Sequence, residues 1–183
     1  LMGAYARAEA SFGNLEVARK VFDTTLASLN SQSKVCGDFC WWDLILCMDA
    51  YLWHWILWQG AQLHAPTLYE CYAELELSQL TSAVKIGSSV GHQKVLYILS
   101  CLGSGTPYIP YKADKPASST QILKARLGFK EHLLMSRRRR DQGQLTDQLR
   151  AMISCAAIFE LIIDGFDAAR SVFEESFMMG LPG

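Results

Sequence analysis

The two ends of the chain carry the same sequence pattern, and this repeat decides the fold class. Residues 5–26 read YARAEASFGNLEVARKVFDTTL, and residues 156–177 read AAIFELIIDGFDAARSVFEESF, matching position by position without a gap. A partial third copy is YAELE at residues 72–76. We predict that the recurring residues form the structural core of each repeat: Tyr5, Glu9, Ala18, Val21, Phe22, Tyr72, Glu76, Glu160, Ala169, Val172 and Phe173.

Each complete copy predicts two helices joined by a tight turn. Gly13-Asn14 and Asp164-Gly165 interrupt the helical pattern, because glycine and asparagine tolerate the left-handed conformation at a helix end. After the first turn, Val17, Val21 and Phe22 recur at helical spacing. One hairpin cannot bury its own apolar face, so several must stack. The sequence therefore predicts an all-α fold in which helical hairpins stack as an α-solenoid.

The composition fits one domain that needs no crosslinks. The chain has 183 residues, of which half are apolar and 19% are charged, and its formal net charge is −1. This content excludes disorder over the whole length, and the charge argues against a globally basic nucleic-acid binder. We predict a single helical-repeat domain over residues 1–183, with an irregular loop at 103–120 where Gly, Pro and Ser accumulate. The chain begins with Leu1 and shows no secretory signal, so we expect a fragment.

The sequence offers no catalytic or metal-binding constellation. None of its four histidines has a partner at a catalytic or ligand spacing, and no phosphate-binding glycine loop occurs. The six cysteines are spread along the chain and are expected to be buried free thiols. Zinc is the alternative for Cys36, Cys40, Cys47 and His54, although no second tight cysteine pair exists. We predict a protein that is not an enzyme and that has no cofactor or metal.

A run of four arginines is the one concentrated charge: Arg137, Arg138, Arg139 and Arg140. Like charges in a row repel each other and stay solvated, which favours a loop between helices. The alternatives are direct contact with RNA phosphates and a nuclear import signal.

An aromatic stretch departs from the repeat. Residues 39–58 read FCWWDLILCMDAYLWHWILW and hold all five tryptophans. Their length fits a membrane span, but Asp43 and Asp49 would each cost about 2.5–3.5 kcal/mol at the centre of a bilayer. We favour a buried helix. An exposed aromatic groove for a partner and, less favoured, a membrane anchor are the alternatives.

The repeat and three further motifs carry a family resemblance. The pattern Y-A-x-x-E, G-N, A-R-x-V-F-[DE] resembles the half-a-TPR (HAT) repeat of RNA-processing scaffolds. The motifs YAELELS at 72–78, GTPYIPY at 105–111 and QILKAR at 121–126 resemble, in this order, the nuclear RNAi defective two family. Such a resemblance implies an interior or C-terminal piece of the helical-repeat region of a much longer protein.

The resemblance also implies a function. It predicts residence in the nucleus and a non-catalytic scaffold that restrains exosome-mediated RNA decay and supports splicing and gene silencing. Partners would be proteins of the nuclear RNA-decay or splicing machinery, with RNA contacted indirectly and no membrane. The residues alone support the scaffold. A direct RNA-binding module at the arginine run is the alternative.

Overall fold

The structure is a computed structural model that describes residues 2–34, 65–80, 89–113, 116–139 and 147–178. Within these ranges it contains seven helices and no strand, which confirms the predicted all-α class. The helices are α1 (Met2–Ser11), α2 (Leu15–Lys34), α3 (65–80), α4 (Ser89–Ser104), α5 (Ser119–Arg139), α6 (Asp147–Ile163) and α7 (Phe166–Met178).

Both predicted hairpins are present. Helix α1 packs against α2, and α6 packs against α7. In the first hairpin Gly13 has a φ of 87°, which allows its N–H to bond the carbonyl of Ala10 and the N–H of Asn14 to bond that of Glu9. These two bonds give hydrogen-bond partners to carbonyls that have none within the last turn of α1. Gly165 has a φ of 88° and turns the chain between α6 and α7 in the same way.

Two local predictions need correction. Val17 is 45% exposed, because the buried ridge of α2 runs through Ala18, Phe22 and Leu26, one residue further along. The predicted loop at 103–120 is shorter, since α4 continues to Ser104 and α5 begins at Ser119. The prolines of the segment all lie between these two helix ends, at positions 107, 110 and 116, so they interrupt neither helix.

One apolar core runs from α1 to α6. It includes these buried residues: Ala6, Ala18, Phe22, Leu26, Tyr69, Tyr72, Ala73, Val95, Ile98, Leu99, Ala125, Phe129, Ala156 and Phe159. Three predicted thiols, Cys71, Cys101 and Cys155, are also buried there and free. Burial raises the pKa of each, so they pack as small apolar groups. Helix α7 adds Val172 at the edge of this core.

Two glycines allow α4 and α5 to touch through their backbones. A Cβ atom on Gly128 would lie 1.8 Å from the carbonyl oxygen of Gly103, and one on Gly103 would lie 2.7 Å from the carbonyl oxygen of Ala125. At Gly128 the atoms in the way all belong to the backbone, so no side chain can rotate to make room, and at Gly103 the buried ring of Phe129 is in the way as well. The two glycines therefore set the distance between α4 and α5.

We expect Gly128→Ala to destabilise the fold by about 1–3 kcal/mol or more, because the added methyl group must push two helices apart. The higher helix propensity of alanine offsets this by about 1 kcal/mol at most. Denaturant unfolding followed by circular dichroism measures the change. Leu127→Ala is the matched control, since Leu127 is the neighbouring residue and is 68% exposed. If Gly128→Ala were as stable as the wild type, the close contact would be refuted.

Candidate functional site

A group of three charged side chains around a buried glutamate links α2, α3 and α4. The side chain of Glu76 is 5% exposed. Arg19 reaches it with two bonds, from Nε to Oε1 at 2.8 Å and from a terminal nitrogen to Oε2 at 3.0 Å, and Lys94 Nζ reaches Oε1 at 2.8 Å. Paired bonds from one guanidinium fix the angle as well as the distance between two side chains. Glu76 therefore holds three helices in register.

The electrostatics keep this carboxylate charged. Burial alone would raise the pKa of Glu76, but the hydrogen bonds and positive charges of Arg19 and Lys94 outweigh it and hold the pKa below its ordinary value. The hydrogen bonds that Arg19 donates to Glu76 raise the pKa of Arg19 in turn. Glu76 and Arg19 are therefore ionised at neutral pH, and their charges pair inside the fold.

A second polar group lies beside the first and centres on Asp23. The hydroxyls of Tyr72 and Tyr108 both donate to Asp23 Oδ1, at 2.9 Å and 2.6 Å. The ring of Tyr72 stacks on Phe22 at 4.9 Å, and Lys94 Nζ lies 5.3 Å from its centre. Burial raises the pKa of both tyrosines and the charge of Asp23 raises it further, so both hydroxyls remain donors. We call Arg19, Asp23, Tyr72, Glu76, Lys94 and Tyr108 the polar cluster.

The loop between α4 and α5 is fixed onto this cluster by its tyrosines. Tyr108 is buried, with its ring 6.2 Å from those of both Tyr69 and Tyr97. The hydroxyl of Tyr97 donates to the carbonyl of Ile109 at 3.0 Å, and its ring lies 5.4 Å from that of Tyr111. The Ile109 side chain is 62% exposed. The loop thus turns aromatic residues inward and presents Ile109 outward.

The three motifs that carry the family resemblance meet in this region. YAELELS supplies Tyr72 and Glu76 to the polar cluster, and GTPYIPY supplies Tyr108. QILKAR supplies Gln121, whose amide lies 3.6 Å from the sulfur of Cys101, and Arg126. Because these side chains bond to other helices, the motifs act in holding the helices together.

Arg126 makes a second ion pair that sequence analysis missed. Its Nε bonds Glu160 Oε1 at 2.9 Å, and a terminal nitrogen bonds Glu160 Oε2 at 2.7 Å and Asp164 at 2.5 Å. The geometry repeats that of Arg19 with Glu76. The signal was present, since residues 125–129 read ARLGF where residues 18–22 read ARKVF. Glycine in place of valine disguised this further copy.

The predicted repeat residues fall into two groups. Ala18, Phe22, Tyr72, Glu76 and Ala169 are buried, and Glu9, Val21, Glu160 and Val172 are partly buried. Tyr5 and Phe173 were predicted in the core but do not lie there, since they are 50% and 41% exposed. Both need a facing helix to cover them. The contacts of α1 with α2 and of α6 with α7 leave these two rings partly open to water.

The arginine run begins inside a helix and not in a loop as predicted. Arg137, Arg138 and Arg139 are the last residues of α5. Their side chains, and the whole of Arg140, lie outside the described residues. Contact with RNA therefore stays a prediction.

Helix α5 presents a stripe of exposed leucines. Leu123, Leu127 and Leu134 are 60%, 68% and 53% exposed. Their spacing of i, i+4 and i+11 places them on one face of the helix, away from the buried side at Ala125 and Phe129. The exposed residue Lys130 lies within this leucine stripe, between Leu127 and Leu134, and the exposed residues Lys124 and Glu131 lie along one side of it. The result is an apolar surface with charged residues of both signs next to it.

The described ranges hold no other candidate centre. No group of three or more His, Cys, Asp or Glu side chains in them could hold a metal ion. No helix found in the same ranges is long and apolar enough to cross a membrane. The aromatic stretch at 39–58 and the zinc candidates Cys36, Cys40, Cys47 and His54 lie outside the described residues.

Comparison with known proteins supports the family resemblance. The chain is 29% identical over 178 residues to the nuclear exosome regulator NRDE2 of Mus musculus, and 30% identical over 179 residues to the protein of the same name in Homo sapiens. Each match covers 94% of this chain. The resemblance to the nuclear RNAi defective two family is confirmed. The chain spans 12% of the length of these relatives. No family model and no solved structure matches it.

Proposed function

We propose that the chain is part of a non-catalytic scaffold in nuclear RNA processing, which docks proteins on the surface of a helical stack. The names of its relatives, which are regulators of the nuclear exosome, support this role. The ion pairs support it too, because the carboxylates of Glu76 and Glu160 are paired with arginines of other helices and so serve the packing of the fold. The scaffold resides in the nucleus and contributes to the restraint of RNA decay, to splicing and to gene silencing.

The architecture of this scaffold is a HAT-like α-solenoid formed by one domain. Two hairpins with the same turn residue support it, and so does the recurrence of one arginine–glutamate contact in two places. Repeats of this kind stack so that each unit contacts its neighbours. Elongated surfaces of helices are then left for partners.

The observation that carries the docking function is the leucine stripe of α5. Monomeric proteins rarely leave large side chains exposed in register along one helix face, and such faces mark protein contacts. A helix with apolar residues at this spacing fits the apolar face of another amphipathic helix. Two of the three exposed charges at the stripe, Lys124 and Lys130, are positive and one, Glu131, is negative, so the positive charges favour acidic residues on the partner. We therefore expect an amphipathic helix with acidic residues, from a protein of the nuclear RNA-decay machinery.

A crosslinking experiment tests this function. A photoreactive residue is placed at position 127, and the chain is incubated with nuclear extract treated with RNase at moderate salt. We expect a defined protein to be crosslinked at this position and identified by mass spectrometry. Position 17 is the matched control, since Val17 is 45% exposed on α2 and lies outside the stripe.

Two variants decide the chemistry of the contact. Leu123→Glu is expected to reduce capture of the crosslinked protein at least tenfold, because Leu123 is 60% exposed on the same stripe, while Val17→Glu leaves it unchanged. Lys124→Glu should weaken capture and Lys20→Glu should not, because Lys20 is exposed on α2. Capture that survives Leu123→Glu would refute the stripe as the docking surface. Capture that requires RNA, falls steeply with salt and is lost when Arg137 to Arg140 become Gln would instead support direct RNA binding.

A further inference from the structure

The segment between α4 and α5 turns every third side chain toward the core. Residues 106–112 read TPYIPYK. Tyr108 is buried and Tyr111 is half-buried, with its hydroxyl oxygen shielded from water. The other residues of this stretch are exposed. A polyproline II helix has three residues per turn, so residues three apart in it lie along one edge, and the exposure of this stretch has that period.

The backbone favours the same conformation. Each proline fixes its own φ at about −65°, and the residue before a proline is restricted to extended conformations. This restricts Thr106 and Pro107, and again Ile109 and Pro110. Both prolines follow trans peptide bonds, and the chain makes no turn between residues 106 and 112. The stretch is therefore an extended surface ridge of the polyproline II type, and we call residues 106–112 the proline ridge.

Contacts with the core hold the proline ridge in place. The hydroxyl of Tyr108 donates to Asp23 Oδ1 at 2.6 Å, and the hydroxyl of Tyr97 donates to the carbonyl of Ile109 at 3.0 Å. The ring of Tyr111 lies 5.4 Å from that of Tyr97. One edge of the ridge is thus bound by its own chain, and the other two edges face water. These two edges carry Thr106, Ile109 and Lys112 on one side and Pro107 and Pro110 on the other.

We propose that the proline ridge is a docking site for an SH3-type domain, which binds polyproline II segments in a groove lined by aromatic side chains. Two pockets of such a groove each take a proline together with the residue before it, and the pairs at 106–107 and 109–110 supply both. Acidic residues beside the groove bind a cation two residues beyond the second proline. Lys112 stands at that position and is exposed.

The buried edge of the ridge selects among the domains that bind proline. In an SH3 groove the third edge of the ligand points away from the domain, and that edge is here the one where Tyr108 and Tyr111 contact their own core. A domain that recognises a tyrosine near the prolines, such as a WW domain, finds both rings out of reach. The ridge shares no residue with the leucine stripe, so the proposal does not depend on the proposed function.

The test applies the whole purified chain to an array of the human SH3 domains, with human WW domains on the same array. We expect at least one SH3 domain to bind and no WW domain to do so. Pro110→Ala and Lys112→Glu should each weaken that binding by about tenfold or more. Pro116→Ala and Lys130→Glu are the matched controls and should bind as the wild type does, because these two residues lie outside the ridge. All four residues are exposed, so circular dichroism should show the same melting temperature for every variant.

A peptide of residues 103–113 separates the effect of the fold from that of the sequence motif. We expect it to bind the same SH3 domain about three- to tenfold more weakly than the folded chain, because the free peptide must be ordered on binding. Equal or tighter binding by the peptide would overturn the ridge as a preformed site. The proposal is also overturned if no SH3 domain binds the chain at about millimolar concentration, if WW domains bind instead, or if neither Pro110→Ala nor Lys112→Glu weakens binding.

Discussion

Replacing Phe22 with alanine is expected to lower the free energy of unfolding by about 3–5 kcal/mol. The ring is 1% exposed and stacks on Tyr72 at 4.9 Å with its plane tilted by 10°. Its loss removes the apolar contact and leaves a cavity, which the structure can fill only by moving Tyr72. That movement would break the hydrogen bond to Asp23. Denaturant unfolding of the whole chain measures the effect.

The matched control is Phe173→Ala, the same substitution at the corresponding position of the other hairpin. The repeat alone predicts the same loss for both, but Phe173 is 41% exposed. We expect a loss below about 1 kcal/mol there, because substitutions on the surface rarely cost more. Equal losses in the two variants would show that both rings are covered to the same degree. A small effect at Phe22 would refute its place in the core.

Replacing Glu76 with glutamine is the second large effect that we expect, at about 2–4 kcal/mol. Removing one partner from a buried ion pair costs about 3–5 kcal/mol, since the remaining charge is left in a poor environment. We place the figure lower because Arg19 and Lys94 keep 27% and 19% of their side chains exposed to water. The measurement is the shift of the denaturation midpoint.

Glu74→Gln provides the control for this experiment. Glu74 lies two residues earlier on α3 and is exposed, so its loss should change the stability by less than about 0.5 kcal/mol. If the two variants behave alike, Glu76 does not hold the three helices together. A double variant in which Lys94 also becomes leucine should recover part of the loss, because it removes a partly buried cation that has lost its carboxylate, whereas Arg19 keeps its bond to Glu16 at 2.7 Å.

The same carboxylate predicts a dependence of stability on pH. The pKa of Glu76 is lower in the folded chain than its ordinary value of 4.5. Its contribution is therefore fully present above pH 4.5 and is lost as the pH falls through the lowered value, because the unfolded chain binds the proton more readily. We expect the curve of stability against pH to flatten in this acidic window in the Glu76→Gln variant.

The hairpins could be predicted because their causes are local. Gly13 ends α1 through the left-handed conformation that glycine adopts without strain, and this requirement is visible in the residue itself. Ala18 and Phe22 were predicted in the core and are buried, but Val17, which was placed on the same apolar face, is 45% exposed, since helical periodicity shows an apolar face but not its centre. The third Ala-Arg-x-x-Phe segment, at 125–129, was missed because Gly128 replaces the usual valine.

Pairing between distant segments could not be predicted in this way. Nothing near Asp23 indicates that two tyrosine hydroxyls, one of them 85 residues away, donate to the same oxygen. The contact of Gly103 with Gly128 could not be predicted either. A glycine within a helix more often lowers the stability of that helix than marks the point where two helices cross. Such contacts depend on which helices become neighbours, and that is a property of the whole packing.

The sequence by itself determined that this chain forms helical hairpins, where the hairpins turn, and which family it resembles, because these follow from residue type and spacing. Only the tertiary structure decided which copies of the repeat are covered. Phe22 and Phe173 are the same residue in the same local pattern, yet one is buried beneath Tyr72 and the other faces outward. The difference arises because burial requires a neighbouring helix: Phe22 packs on Tyr72 of α3, whereas Phe173 keeps 41% of its surface open to water.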